Sequence, residues 1–458
     1  MTLWGGRFED PPSEATMSYT ADQSDRRLLI HDIRGSIAHA AMLGTTGTID
    51  ADESKALVDA LKRVLEEASE SRFAFLDSDE DVHSAVERRL GELIGDLAGK
   101  LHSGRSRNDQ IALDLRLYLR EAGKERAGQL RSLAGTLAEI AEDHAETVVA
   151  SYTHLQQAQP TTLGHHLLSF AWPALRSADR FAEAVRRIDH SPLGAGASVG
   201  TSLPIDPEEV SHRLGMAGIM ANSIDAVGSR DFVSDYIFCC TQAMVDLSRL
   251  AETLVLWATE EFGWLRLSDA VSTGSSALPH KRNPDIAELV RGRTATVIGD
   301  MAAILVLQKG LASSYHRDLQ EDKMIVFHAD DALQASLGAM GAFLQGMWFD
   351  PPGPGPSTAA LDLAEVLVKR GVPFRQAHEA VGRLLSRLEE RGSGLGDLTA
   401  GDLLEANPRF EDADLDLLDP LHSARARTAP GAGSPQSVRE QVAVIRRLVT
   451  EAGHTERA

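Results

Sequence analysis

The sequence predicts a mainly α protein built on long helices. Three observations carry this: residues 231–262 contain no glycine or proline, a seven-residue apolar repeat runs through them, and alternating strand patterns are scarce throughout. At 1.5 Å per residue the first of these predicts a helix roughly 48 Å long, well beyond the usual globular length. Val233, Cys240, Leu247 and Leu254 recur every seven residues, interleaved by Ile237, Met244, Ala251 and Ala258. Such a seam demands partner helices.

Three further long helices join it. Residues 108–144 place Ile111, Leu115, Tyr118, Leu130, Leu133, Leu137 and Ile140 on one helical face. Residues 161–189 predict another, kinked at Pro173. A fourth starts with Asn283 as cap and Pro284 in the first turn, while Asp285 and Glu288 complement the positive end of the helix dipole. The stretch PPGPGPS at 351–357 cannot continue a helix and marks a boundary. The chain is therefore expected to divide into an N-terminal mainly helical domain (1–105), a central helix bundle (106–356) and a small C-terminal helical domain (357–458). The last helix is expected to open with a capping box, Ser437-Val438-Arg439-Glu440.

The chain has 458 residues, 43% of them hydrophobic and 25% charged, which is ordinary for a folded protein. Its formal net charge of -21, without a long basic run, argues against nucleic acid or an anionic membrane surface as partner. The apolar run MAAILVL at 301–307 is too short to span a bilayer, and MTLWGGRFED lacks the apolar core of an export signal. A cytoplasmic location is the expectation. Cys239 and Cys240, neighbours in an apolar helical stretch, read as core residues rather than redox or metal groups.

Four polar stretches sit at predicted helix ends. HSGRSRNDQ (102–110) sets Arg105, Arg107 and Asn108 where free N–H groups favour an anion, although a solvated helix start explains the same residues. SYTHLQQAQPTT (151–162) offers Thr153, His154, Gln156 and Gln159, with His154 as the proton-transfer candidate, or equally a structural histidine. SSYHRDLQEDK (313–323) mixes Arg317 and Lys323 with Asp318, Glu321 and Asp322, the pattern of a solvated salt-bridged face. TGSSALPHKRNPD (273–285) leads a small-residue loop through Lys281 and Arg282 into a helix start, an anion receiver with a movable lid. Phosphate loops, GxSxG elbows, HExxH and CxxC pairs are absent, and adjacent His165 and His166 cannot face one metal on a helix. A site rich in Arg, Lys, Asn, Ser and Gln suits a polycarboxylate substrate and a reaction that builds further negative charge, such as proton abstraction beside a carboxylate.

The loop GSSALPHKRNP resembles the signature of the aspartase/fumarase superfamily, GSSxMPxKxNP. Within it the chain is most similar to the argininosuccinate lyase family, through LWGGRF (3–8), EDVHSAVERRL (80–90), HSGRSRNDQ, THLQQAQPTTLGHH, SPLGAGA (191–197), SRDFVSDY (229–236), LQKGLASSYHRDLQEDK (307–323), VKRGVPFRQAH (368–378) and RTAPGAGSP (427–435). The resemblance implies a three-domain fold whose long helices form a 20-helix core in a homotetramer, each active site drawing on three subunits. It implies reversible cleavage of argininosuccinate to arginine and fumarate, with neither metal nor organic cofactor. Ser275 matches the base that removes the Cβ proton, and Lys281 and Asn283 match the groups that hold the substrate carboxylate and stabilise the aci-carboxylate. His154 matches the second catalytic position and Glu288 its orienting carboxylate. Arg107, Asn108, Thr153, Tyr315, Gln320 and Lys323 match substrate-contacting positions.

Some positions depart from the pattern. Tyr19 and Ala21 stand where the family has Asn-x-Ser, Leu278 replaces methionine, His280 replaces glutamine, and His316 replaces asparagine. SALPHKRNP is closer to adenylosuccinate lyase. Ala21, His280 and His316 are the changes expected to alter the pocket for the amine half, and none touches the proposed base. A lyase of another N-substituted aspartate, or a non-catalytic crystallin-like protein on the same scaffold, are the alternative readings.

Overall fold

The computed structural model describes residues 13–21 and 23–455, so the LWGGRF stretch lies outside the described residues. The chain is mainly helical. Helices α1 (Leu29–Thr45), α2 (Ala51–Ser69) and α3 (Val82–Ile94) precede the long helices α4 (Arg107–Asp143), α5 (Leu163–Ile188), α6 (Asp231–Ala258), α7 (Asp285–Gln308) and α8 (Asp322–Gln345). Shorter helices follow, among them α9 (Phe374–Glu390) and α10 (Pro435–Thr455). The described strands form three antiparallel pairs: β1 (Val148–Thr153) with β2 (Gln156–Thr162), β3 (Leu265–Leu267) with β6 (Met347–Phe349), and β4 (Thr273–Gly274) with β5 (Arg282–Asn283).

The residues group into two compact units. One holds the described residues up to 127 together with 179–242 and 295–334, the other 128–178, 243–294 and those from 335 onward. In the first, α1, α2 and α3 bury Ile33, Leu43, Leu57, Leu61, Val86 and Leu90 with Leu113 and Leu117 of α4. Each such side chain contributes about 1.5–3 kcal/mol of burial. In the second, α9 and its neighbours bury Leu363, Leu367, Val381, Leu384, Leu388, Leu403 and Phe410.

A buried polar network registers the long helices within the first unit. Asp330 of α8, 1% exposed, accepts from Arg126 Nε at 2.8 Å and Tyr118 Oη at 3.0 Å, both on α4, and from Tyr236 Oη of α6 at 2.6 Å. Removing one partner of a buried ion pair leaves the other uncompensated. Asp330→Asn is therefore expected to destabilise the fold by about 3 kcal/mol in denaturant titration, and an unchanged midpoint would contradict the network's role.

Along α6 the predicted seam is buried: Val233, Ile237, Cys240, Met244, Leu247, Ala251 and Leu254 are at most 3% exposed. Cys239 and Cys240 are buried free thiols, and burial pushes Cys239 up to about 12, so it carries no reactive thiolate at neutral pH. The helix ends at Ala258 rather than 262, because Thr259 takes over the local backbone: its hydroxyl donates to Leu256 O at 2.7 Å and accepts from Phe262 N at 3.2 Å. Two caps also shift. Asn283 lies in β5 rather than capping α7, drawn out by pairing with Thr273, and Pro284 O accepts the first helical bond from Glu288 N at 3.2 Å. Ser434 rather than Ser437 caps α10, accepting from Ser437 N at 3.2 Å, because Pro435 suits the first helical position.

Helix α7 is apolar on more than one face. Ala287, Val290, Val297 and Ile304 are buried, while Leu289, Ile298, Leu305 and Val306 are 48–66% exposed.

Candidate functional site

Four chain segments of the first unit line a cavity of about 130 Å³. The predicted residues Arg107, Asn108, Tyr315, Gln320 and Lys323 come together in its wall, joined by Thr20, Asp25, Glu80, Asp81, His83, Ile111 and Arg317. Sequence reading missed the acidic part of that wall, because Glu80 and Asp81 read only as the start of the EDVHSAVERRL stretch and Asp25 lies in no such stretch.

Each predicted side chain is fixed by local folding. Arg107 opens α4 and ion-pairs through Nη1 with Asp81 at 2.8 Å and Glu80 at 3.1 Å. Asn108 Nδ2 donates to Ala197 O at 2.9 Å. The buried Asp109 ties this helix start to the SPLGAGA loop, accepting from Ser106 N at 2.9 Å, Gly194 N at 3.1 Å and Gly196 N at 2.8 Å. Burial pushes its carboxyl up to about 6 against those three donors.

Tyr315 follows Ser314, which adopts φ 76° where the chain presses on Gly228; a Cβ there would lie 2.6 Å from Ser314 O. The Tyr315 side chain packs on Ala195, Ala226 and Val227, and burial raises its phenol pKa although Lys323 opposes the shift. Lys323, 3% exposed, lies with Nζ 3.5 Å from Asp322 Oδ1, and Asp322 takes Arg230 Nε at 2.5 Å on its other oxygen. The stretch 313–323 is solvated only in part: Arg317, Asp318 and Glu321 are exposed, Arg317 reaching Thr20 O at 2.6 Å and Glu80 at 3.4 Å, whereas Asp322 and Lys323 are buried. Neither Tyr19, which is 91% exposed, nor His316 lines the cavity.

Behind the wall lies a buried acid–histidine cluster. His83 Nδ1 is 2.8 Å from Asp32 Oδ1 and 3.7 Å from Asp114 Oδ2, and the Gln110 amide donates to the same Asp32 oxygen. Ligand atoms of these three lie within 4.8 Å, as a metal would need, but the His83–Asp32 distance is that of a shared proton. Burial opposes the imidazolium, yet the Asp32 carboxylate outweighs it and raises His83 above its ordinary 6.5. Burial and the Asp32 charge raise Asp114 well above the carboxylate range. A raised histidine contributes stability that is complete below 6.5 and is lost as pH rises through the folded value. The melting-temperature gap between wild type and His83→Asn is accordingly expected to narrow as pH rises above 6.5, and a constant gap would contradict this charge assignment.

The remaining predicted residues lie in the second unit. His154 and Leu155 are the two central residues of the β1–β2 hairpin, where Thr153 pairs with Gln156, and both have positive φ, 55° and 58°. That is the signature of a type I′ turn, usually built from asparagine and glycine, and leucine there is a strained choice. Thr153 and His154 are exposed. The signature loop is closed at its base by Thr273↔Asn283 and Gly274↔Arg282, with Arg282 Nη1 donating to Leu267 O at 2.9 Å. Ser275 Oγ accepts from Ala277 N at 3.2 Å and Leu278 N at 3.1 Å, while Lys281, His280 and Glu288 are exposed. No hydrogen bond joins His154 to Glu288 among the described residues.

Residues 6–299 match a lyase family model, and residues 357–425 match the model described as argininosuccinate lyase C-terminal. The chain is 44% identical to the argininosuccinate lyase of Roseiflexus sp. (strain RS-1) over 454 residues, covering 98% of this chain and 100% of that protein. It is also 44% identical to the argininosuccinate lyase of Cutibacterium acnes over 457 residues, covering 98% and 97%. Among solved structures it resembles an EDDS lyase in complex with formate, with TM-score 0.81 and 27% identity over 96% of this chain and 90% of that one. A class II fumarase from Schistosoma mansoni shares the fold at TM-score 0.75 and 16% identity, over 91% of this chain and 94% of that one.

Proposed function

The chain belongs to the argininosuccinate lyase family, and from that premise we propose that it cleaves argininosuccinate reversibly into arginine and fumarate, as a step of arginine biosynthesis in the cytoplasm. The observation that carries the reading is the convergence of Arg107, Asn108, Tyr315, Gln320 and Lys323 on one cavity from segments more than 200 residues apart in sequence. Cations and amides in that wall suit the carboxylates of the succinyl half. Asp25, Glu80 and Asp81 supply opposite charge for the guanidinium half.

In this reading Ser275 removes the Cβ proton. A serine hydroxyl is a poor base near neutral pH, and the N–H groups of Ala277 and Leu278 on its Oγ favour the alkoxide. Proton removal leaves an aci-carboxylate, whose extra charge exists only beyond the ground state. Lys281 and Asn283 face that charge and lower the barrier instead of merely tightening binding. The Cβ electron pair then forms the fumarate double bond as the C–N bond breaks, and the leaving guanidino nitrogen takes a proton. Thr153 contacts the substrate, and His154, with Glu288 as its partner, supplies or organises that last transfer.

The assembly we propose is a homotetramer with each site shared among three subunits. The exposed apolar residues of α7 support it, since such a face on a long helix calls for partner helices. The candidate residues also divide between the two units of one chain, with His154 and Glu288 not bonded to each other. Mixing the Ser275→Ala and Lys323→Met proteins, each strongly impaired at substrate concentrations well below KM, under conditions that exchange subunits is expected to raise fumarate release at those concentrations above the mean of the two separate proteins. Shared sites contain some copies with neither lesion; sites made by one chain do not. No such rise despite verified mixing would contradict the shared site.

A further inference from the structure

A second cavity, of about 340 Å³, opens in the second unit beside the His154 turn, where Tyr152, Phe262 and Trp264 meet Glu261 and the segment Pro352-Gly353-Pro354. Its size suits a small organic ligand. The ring centroids stand 5.4 Å (Tyr152–Phe262), 5.8 Å (Tyr152–Trp264) and 6.1 Å (Phe262–Trp264) apart, with planes inclined at 45°, 61° and 71°. Rings inclined in this way form a cup rather than a stack. Tyr152 and Phe262 are half-buried with Trp264, 3% exposed, backing them, so a cation in the cavity lies within the ~6 Å over which those two rings attract it.

The rest of the lining agrees in sign. Glu261 is the one charged side chain among the lining residues, which include no lysine, arginine or histidine, and the prolines offer carbonyls without N–H groups. The cup is also held in shape. Trp264 is 3% exposed and packs on Trp257 at 5.1 Å, and Gln157 Oε1 accepts from Gly355 N at 3.1 Å, tying the proline segment to β2. None of the groups assigned above to bond cleavage lines it.

We propose that this cup binds a small organic cation of the alkylammonium or guanidinium class, at a site separate from the residues that cleave the substrate. The proposal does not depend on the lyase reading. The test titrates the whole protein, followed by calorimetry, with choline, with its uncharged isostere 3,3-dimethylbutan-1-ol, and with L-arginine in the absence of fumarate. At least one cation is expected to bind saturably, and the uncharged isostere about tenfold more weakly than choline or not at all. Phe262→Leu and Glu261→Gln are each expected to weaken cation binding about fivefold or more with the melting temperature unchanged. Glu261 is exposed, so its variant keeps the test sound if Phe262→Leu folds poorly. Arginine binding that responds to these substitutions identifies a guanidinium occupant; a response from choline alone identifies the alkylammonium class. Absence of saturable binding by both cations, an isostere that binds as tightly as choline, or cation affinity unchanged in both variants overturns the proposal.

Discussion

Ser275→Ala is expected to lower kcat by about a thousandfold or more, with KM for argininosuccinate within a fewfold of wild type. The substitution removes the oxygen on which two backbone N–H groups converge, and with it the proposed base. It leaves the rest of the loop in place, because the hairpin base at Thr273↔Asn283 and the Arg282–Leu267 bond do not involve residue 275. The wall proposed to bind the substrate carboxylates belongs to other segments and keeps its groups. A collapse of kcat with KM retained, and with the circular dichroism of the unaltered protein, separates a base from a binding residue. Near-normal turnover would refute the assignment.

Lys323→Met is expected to act on the other parameter, lowering kcat/KM about a hundredfold, mainly through KM. Methionine keeps much of the length and apolar stem but removes a buried cation from the cavity wall. Asp322 retains Arg230 as its partner at 2.5 Å, so no uncompensated carboxylate is created and the fold should persist. Steady-state kinetics across substrate concentration check the split. If kcat falls while KM holds, Lys323 acts on the transition state and its role as a carboxylate holder is wrong.

The parts of this protein that were legible in its sequence are those governed by local periodicity. The α6 seam needed only the absence of glycine and proline and a seven-residue repeat, and its residues are buried as expected except Ala258 at the helix end, which is half-buried. Where the structure departs from expectation, the deciding interactions are distant. His154 was readable as a polar loop residue but not as the apex of a hairpin, because a His-Leu turn lacks the asparagine and glycine that usually announce one. Asn283 has the chemistry of a helix cap, yet pairing across the signature loop with Thr273 makes it a strand residue. Lys323 looked like a member of a solvated charge cluster since acids surround it in sequence; it is buried beside a buried Asp322, while Arg317 stays exposed and pairs with the distant Glu80. The acidic wall of the cavity was invisible for the same reason. Asp25, Glu80 and Asp81 acquire meaning only when the start of α4 and the 315–323 segment fold against them.

His280 and Ala21 keep a competing substrate in view, since both depart from the family pattern at positions proposed to adjoin the amine half. The most direct test of the central claim is product analysis after mixing the purified protein with argininosuccinate and, separately, with adenylosuccinate and other N-substituted aspartates. Fumarate is followed by its ultraviolet absorbance and the amine product by chromatography. The account predicts fumarate and arginine in equal amounts from argininosuccinate and far slower release from the others. Fumarate from another N-substituted aspartate, with none from argininosuccinate, would contradict it.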